Sequence, residues 1–122
     1  MVDCMLDFEE DLFVALRTSV FPERYGFPSY KDDEEKVARR KQIADNILPP
    51  KLGMLEKILG STENGWSADT ERPSIADFAL TCSLEWLRGG MLDGIPQTIL
   101  EEYPNIVKYC QNFKDEIEKN QA

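Results

Sequence analysis

An all-α domain, a bundle of five or six helices, is the fold that this sequence predicts. Apolar residues recur at spacings of three, four and seven along most of its length, and no run alternates apolar with polar β-branched residues. The punctuation is that of helices: Ser74 and Pro104 open the last two periodic stretches, and Pro22, Gly60 and Gly89 each follow one. A chain of 122 residues, 42% hydrophobic, suits a single domain over 1–122.

Val2, Met5, Leu6, Leu12, Phe13, Leu16 and Val20 form one face of a first helix. Pro22, Gly26 and Pro28 interrupt the pattern. The acidic block 32–35, followed by Lys36, Arg39, Arg40 and Lys41, suits a helix N-terminus and its i,i+4 pairs, so a second helix is expected from about Lys31. Ile43 and Ile47 continue its buried stripe. Pro49 and Pro50 remove two backbone donors, which predicts a kink or restart before the segment of Leu52, Leu55 and Leu59.

Residues 60–73, GSTENGWSADTERP, are rich in turn formers and predict a surface loop holding an isolated tryptophan. Ser74 and Asp77 stand at the two ends of a capping box, each side chain able to bond the other's backbone N–H, with Pro73 and Phe78 at the positions of a hydrophobic staple. Between Phe78 and Leu87 only Glu85 is charged, so the helix opened by Ser74 is expected to be the core, covered on all sides. Arg88-Gly89-Gly90 ends it. Pro96 then opens a short turn to Glu101, and Pro104 opens a last helix with a stripe of Ile106, Cys110, Phe113 and Ile117.

Charge and composition exclude several functions. Twenty-three acids against 14 bases give a net charge of −9, which repels nucleic acid and anionic lipid surfaces alike. No apolar run approaches the length that spans a bilayer, and the N-terminus has acids where a secretory signal would be basic, which predicts a cytoplasmic protein. Cys4, Cys82 and Cys110 are widely spaced, with no histidine in the chain, so neither a zinc site nor a Ser-His or Cys-His nucleophile can be assembled. Cys82 and Cys110 read as buried packing residues, and no residue is assigned a catalytic role. Asp3, Asp7, Glu10 and Asp11 share one side of the first helix and read as a solvated acidic face.

Four stretches carry a family resemblance: VDCMLDFEEDLF in the first helix, LPPKLGMLEKIL before the loop, SIADFAL opening the core helix, and LDGIPQTILEEYPNIVKY near the end. In order and spacing the chain resembles the C-terminal helical domain of cytosolic glutathione transferases, most of all the sigma class. SIADF is the most specific stretch, since that family opens its buried helix in this way, after a loop with a tryptophan such as Trp66. The resemblance implies the electrophile-binding, dimer-contributing half of a detoxifying transferase. Glutathione would be the co-substrate and a small hydrophobic electrophile the second substrate. The thioredoxin-like domain, which in that family binds glutathione and activates its thiol, is expected to be absent from this chain, leaving it inactive alone.

The resemblance also implies that Asp11, with Glu10 beside it, meets the ammonium of glutathione bound by the partner subunit of a homodimer. Phe13, Ala79 and Ser83 would border the electrophile pocket, and Ser74 and Asp77 would be a structural cap. The alternative it leaves open is a non-catalytic interaction module, like the transferase-like domains of translation elongation factors and aminoacyl-tRNA synthetases.

Overall fold

The computed structural model describes residues 1–121; Ala122, the last residue of the expected domain, lies outside them. The described residues form helices and turns only. Helix α1 spans Val2–Val20, as its apolar spacing predicts, and a short 3₁₀ turn, Pro22–Tyr25, follows it and closes on Gly26 in the left-handed region. The chain crosses to α2, Asp33–Gln42, whose cap is Asp32: its carboxylate accepts the Glu35 N–H at 2.9 Å, and the Glu35 carboxylate returns to the Lys31 N–H at 3.3 Å. Helix two therefore begins two residues later than Lys31, because Asp32, and not Lys31, can supply the capping oxygen.

A new α-helical segment starts beside Pro49 and Pro50, as expected, but no gap in the helical turns precedes it. Between α2 and α3, Leu48–Ser61, lies a π-helical turn, Ile43–Ile47, in which the Leu48 N–H reaches back to the Ile43 carbonyl. The wider turn shifts the hydrogen-bond register just ahead of the prolines, which then occupy the first turn of α3, where missing N–H groups cost least. Residues 33–61 thus run as one continuous helical rod. Residues 96–101 form the expected turn and add no helix: Ile99, Glu101 and Tyr103 each bond the carbonyl three residues back. Four helical rods make the fold where five or six helices were expected: α1, α2 joined to α3, α4 (Ile75–Arg88) and α5 (Pro104–Gln121).

The core lies where α1, α3, α4 and α5 meet, filled by Leu12, Phe13, Leu16, Leu52, Leu55, Leu80, Leu84, Ile106 and Tyr109. Two local devices, one polar and one steric, hold its helices in place. Glu56 of α3 accepts the Asn105 and Ile106 N–H groups, both at 2.9 Å, so a side chain from another helix caps the N-terminus of α5. Gly94 (φ +91°) lets the turn after α4 lie against α2, where a Cβ would stand 2.7 Å from the Val37 carbonyl oxygen.

Helix α4 departs from expectation. Ala76, Asp77, Leu80, Thr81, Leu84 and Leu87 are buried, but Ile75, Phe78, Cys82 and Glu85 face outward, Ile75 and Phe78 being 67% and 56% exposed. Among the helices only α1 and α5 lie against it, so its apolar character all round leaves an uncovered stripe. Cys82 lies on that stripe and is exposed, contrary to its reading as a packing residue, whereas Cys110 of α5 is buried. Among the described residues no helix is long and apolar enough to cross a membrane.

Candidate functional site

The polar centre of the α1–α4 contact is a residue that the sequence reading passed over. Glu9 is buried, and its Oε1 accepts the Ser83 hydroxyl at 2.7 Å and pairs with the Arg17 guanidinium, which also lies 3.3 Å from Ser83 Oγ. Glu9, Phe13 and Arg17 stand at successive i,i+4 positions, one ridge of α1, and the Arg17 guanidinium carbon is 5.9 Å from the Phe13 ring centroid. A second Arg17 nitrogen is 3.5 Å from Glu10. Burying a carboxylate is tolerable only with such partners, and together they pin Arg17 along the seam between the two helices. The signal was legible: Glu9 falls within the apolar stripe of Met5, Leu12 and Leu16, where an acid is out of place.

Above this cluster opens a cleft of about 560 Å³ lined by Arg17, Val20, Phe21, Arg24, Tyr25, Cys82, Ser83 and Trp86. Three of its walls are aromatic. Of the expected pocket residues, Ser83 lines it; Phe13 is fully buried beneath Arg17 and does not, and Ala79 is half-buried on α4 outside it. Phe13 is drawn inward because it shares its helix face with Leu12 and Leu16, all three being fully enclosed by the core.

Glu10 and Asp11 are exposed on α1, and neither lines the cleft. Neither is wholly solvated: Glu10 faces Arg17, while Lys51 of α3 stands 3.7 Å from the Asp11 carboxylate and donates to the Asp11 carbonyl at 2.7 Å. The expected acidic face is therefore partly neutralised by two basic residues.

Ser74 and Asp77 form the capping box at the start of α4, and the Asp77 carboxylate does more than cap. Fully buried, it accepts the Ser74 N–H at 2.8 Å, the Ser74 hydroxyl at 3.2 Å, the Ser67 N–H at 2.8 Å and the Tyr109 hydroxyl at 2.6 Å. It thereby ties the 62–73 loop and α5 to the N-terminus of α4. Burial, and next the bond to Asp77, push the Tyr109 hydroxyl far above the usual tyrosine range, so this tyrosine stays protonated and donating. Trp66 is carried inward with Ser67 and packs its ring 6.2 Å from Tyr109 and 6.3 Å from Phe113, so the loop is anchored in the core at its middle.

Among the described residues no cluster of cysteine and carboxylate ligands could hold a metal ion. Residues 21–118 match the family model described as "Glutathione S-transferase, C-terminal domain". No curated protein and no solved structure gives a match.

Proposed function

Because the chain belongs to the glutathione S-transferase C-terminal domain family, we propose that it is the electrophile-binding half of a sigma-like glutathione transferase. Completed by a thioredoxin-like domain, it would conjugate glutathione to small hydrophobic electrophiles and contribute to a homodimer. The observation that carries this reading is the aromatic-walled cleft between α1 and α4, opening beside the uncovered stripe of Ile75, Phe78 and Cys82. A cleft of this size with apolar walls and a few fixed polar groups suits a small ligand. An adjacent unpartnered apolar face suits a domain that brings the second substrate to it.

In this reading the cleft supplies binding and orientation, while the thioredoxin-like domain supplies glutathione and the donor that ionises its thiol. Lowering a thiol's pKa needs a positioned donor or positive charge. Of the two arginines lining the cleft, Arg17 is already engaged by Glu9 and Glu10, and Arg24 stands over the Phe21 ring. Asp11, with Glu10, would meet the ammonium of the partner subunit's glutathione; the ammonium would take the place that Lys51 now holds beside Asp11. All three cysteines are free thiols, which suits a cytoplasmic setting.

The test is reconstitution. The chain alone should conjugate glutathione to an aryl halide at no more than the uncatalysed rate, and joining it to a thioredoxin-like domain of the family should raise that rate. Turnover by the isolated chain that follows the protein through purification would refute the division of labour. No rate gain in a folded, assembled pair would refute the transferase reading itself.

A further inference from the structure

In a chain with 23 acidic residues, the α1–α4 cleft is lined by two arginines and no carboxylate. The four other clefts described each carry at least one acid, Glu71, Glu63, Glu85 and Glu35 among them. The two arginines differ. Arg17 is engaged by Glu9, Glu10 and Ser83. Arg24, on the 3₁₀ turn after α1, makes no ion pair among the described residues, and its guanidinium carbon stands 4.4 Å from the Phe21 ring centroid at the cleft. Its acidic neighbour Glu23 is turned to the Ser29 hydroxyl, which lowers the pKa of the Glu23 carboxyl.

From this geometry we infer that the cleft selects a flat aromatic ligand carrying a carboxylate, with Arg24 as the group that recognises the carboxylate. The inference rests on the reading of the cleft as an electrophile pocket and narrows its substrate class. Phe21, Tyr25 and Trp86 offer ring faces and edges to an aromatic body. A guanidinium held over an aromatic ring keeps its fork of N–H donors free at the edge, which matches a carboxylate in two parallel hydrogen bonds. Arg17, neutralised by its partners, fixes the floor without attracting a second anion. The reacting carbon would lie on the aromatic body, away from the carboxylate held at Arg24.

The experiment uses the 122-residue chain and two probes of equal shape, 2-naphthoate and the uncharged 2-naphthamide, each titrated by calorimetry and followed at the indole N–H resonances of Trp86 and Trp66. The expected result is that naphthoate binds about fivefold more tightly than the amide at low ionic strength, the scale of a partly exposed ion pair. Trp86 should shift and Trp66, buried in the core, should not. Arg24→Gln should remove the preference without changing amide affinity, Arg24→Lys should retain part of it, and salt should weaken it. Equal affinities, a preference that survives Arg24→Gln, a shift confined to Trp66, or no binding of either probe would overturn the inference. A naphthoate preference in a chain that stays inactive after assembly with a thioredoxin-like domain would remove the transferase reading and leave carboxylate selection standing.

Discussion

Replacing Asp77 by alanine should cost this domain far more than the loss of a helix cap. A cap residue contributes about 1 kcal/mol on its own. Asp77 is 0% exposed and also accepts the Ser67 N–H at 2.8 Å and the Tyr109 hydroxyl at 2.6 Å. Each buried donor stripped of its acceptor costs about 1 to 3 kcal/mol. The contributions overlap, because the loop can relax once untied, so a total of about 3 to 5 kcal/mol is expected from these donors and the cap together. That is a large share of the 5 to 15 kcal/mol or so that stabilises a typical domain. Urea unfolding of Asp77→Ala beside Glu118→Ala, an exposed acid on α5, measures it. Tyr109→Phe, which removes one donor and leaves the carboxylate three, should cost less, and the double variant should cost less than the sum of the two. An Asp77→Ala loss equal to that of Glu118→Ala, or strict additivity with Tyr109→Phe, would refute the tethering role.

Glu9→Ala should destabilise by about 2 kcal/mol, since it strips partners from Arg17 and Ser83 at a half-buried seam; Ser83→Ala, leaving the ion pair, should lose less in the same unfolding assay. Of the three cysteines, Cys4 and Cys82 should react with a disulfide reagent in the native protein, and Cys110 only on unfolding. Burial raises the Cys110 thiol from 9.0 to about 11, and burial with the Asp77 bond raises Tyr109 above its ordinary 10.0. Both groups hold their protons longer folded than unfolded. Their contribution is therefore complete below about pH 9 and is lost as pH rises beyond it, at most roughly 2 to 3 kcal/mol from Cys110 by pH 11, which unfolding midpoints across that window will show. If the proposed transferase is assembled with a thioredoxin-like domain, Asp11→Ala should raise the KM for glutathione, and not for the electrophile, about tenfold; an unchanged KM would return Asp11 to its pairing with Lys51.

Local pattern alone determined the helical class, the span of α1, the start of α4 at Ser74 and the start of α5 at Pro104. Each of these is written in residues a few positions apart, where a 3.6-residue period, a capping pair or a proline acts without reference to the rest of the chain. Cap chemistry likewise identified Asp77. Its remaining donors, Ser67 and Tyr109, come from a loop and a helix distant in sequence, and only packing brings them together.

Tertiary structure decided the rest. Pro49 and Pro50 predict a break because two missing donors look the same whether the turn before them is α or π; in the structure a π turn precedes them, with Ile43, Leu48 and Leu52 buried along it. An apolar stretch such as 78–84 shows that a helix can be buried all round but not how many neighbours it has, so the exposure of Cys82 and Phe78 follows from only α1 and α5 lying against α4. The cleft is the same case at the scale of a site. Arg17 and Ser83 are 66 positions apart, and it is the packing of α1 on α4 around a buried Glu9 that sets them side by side.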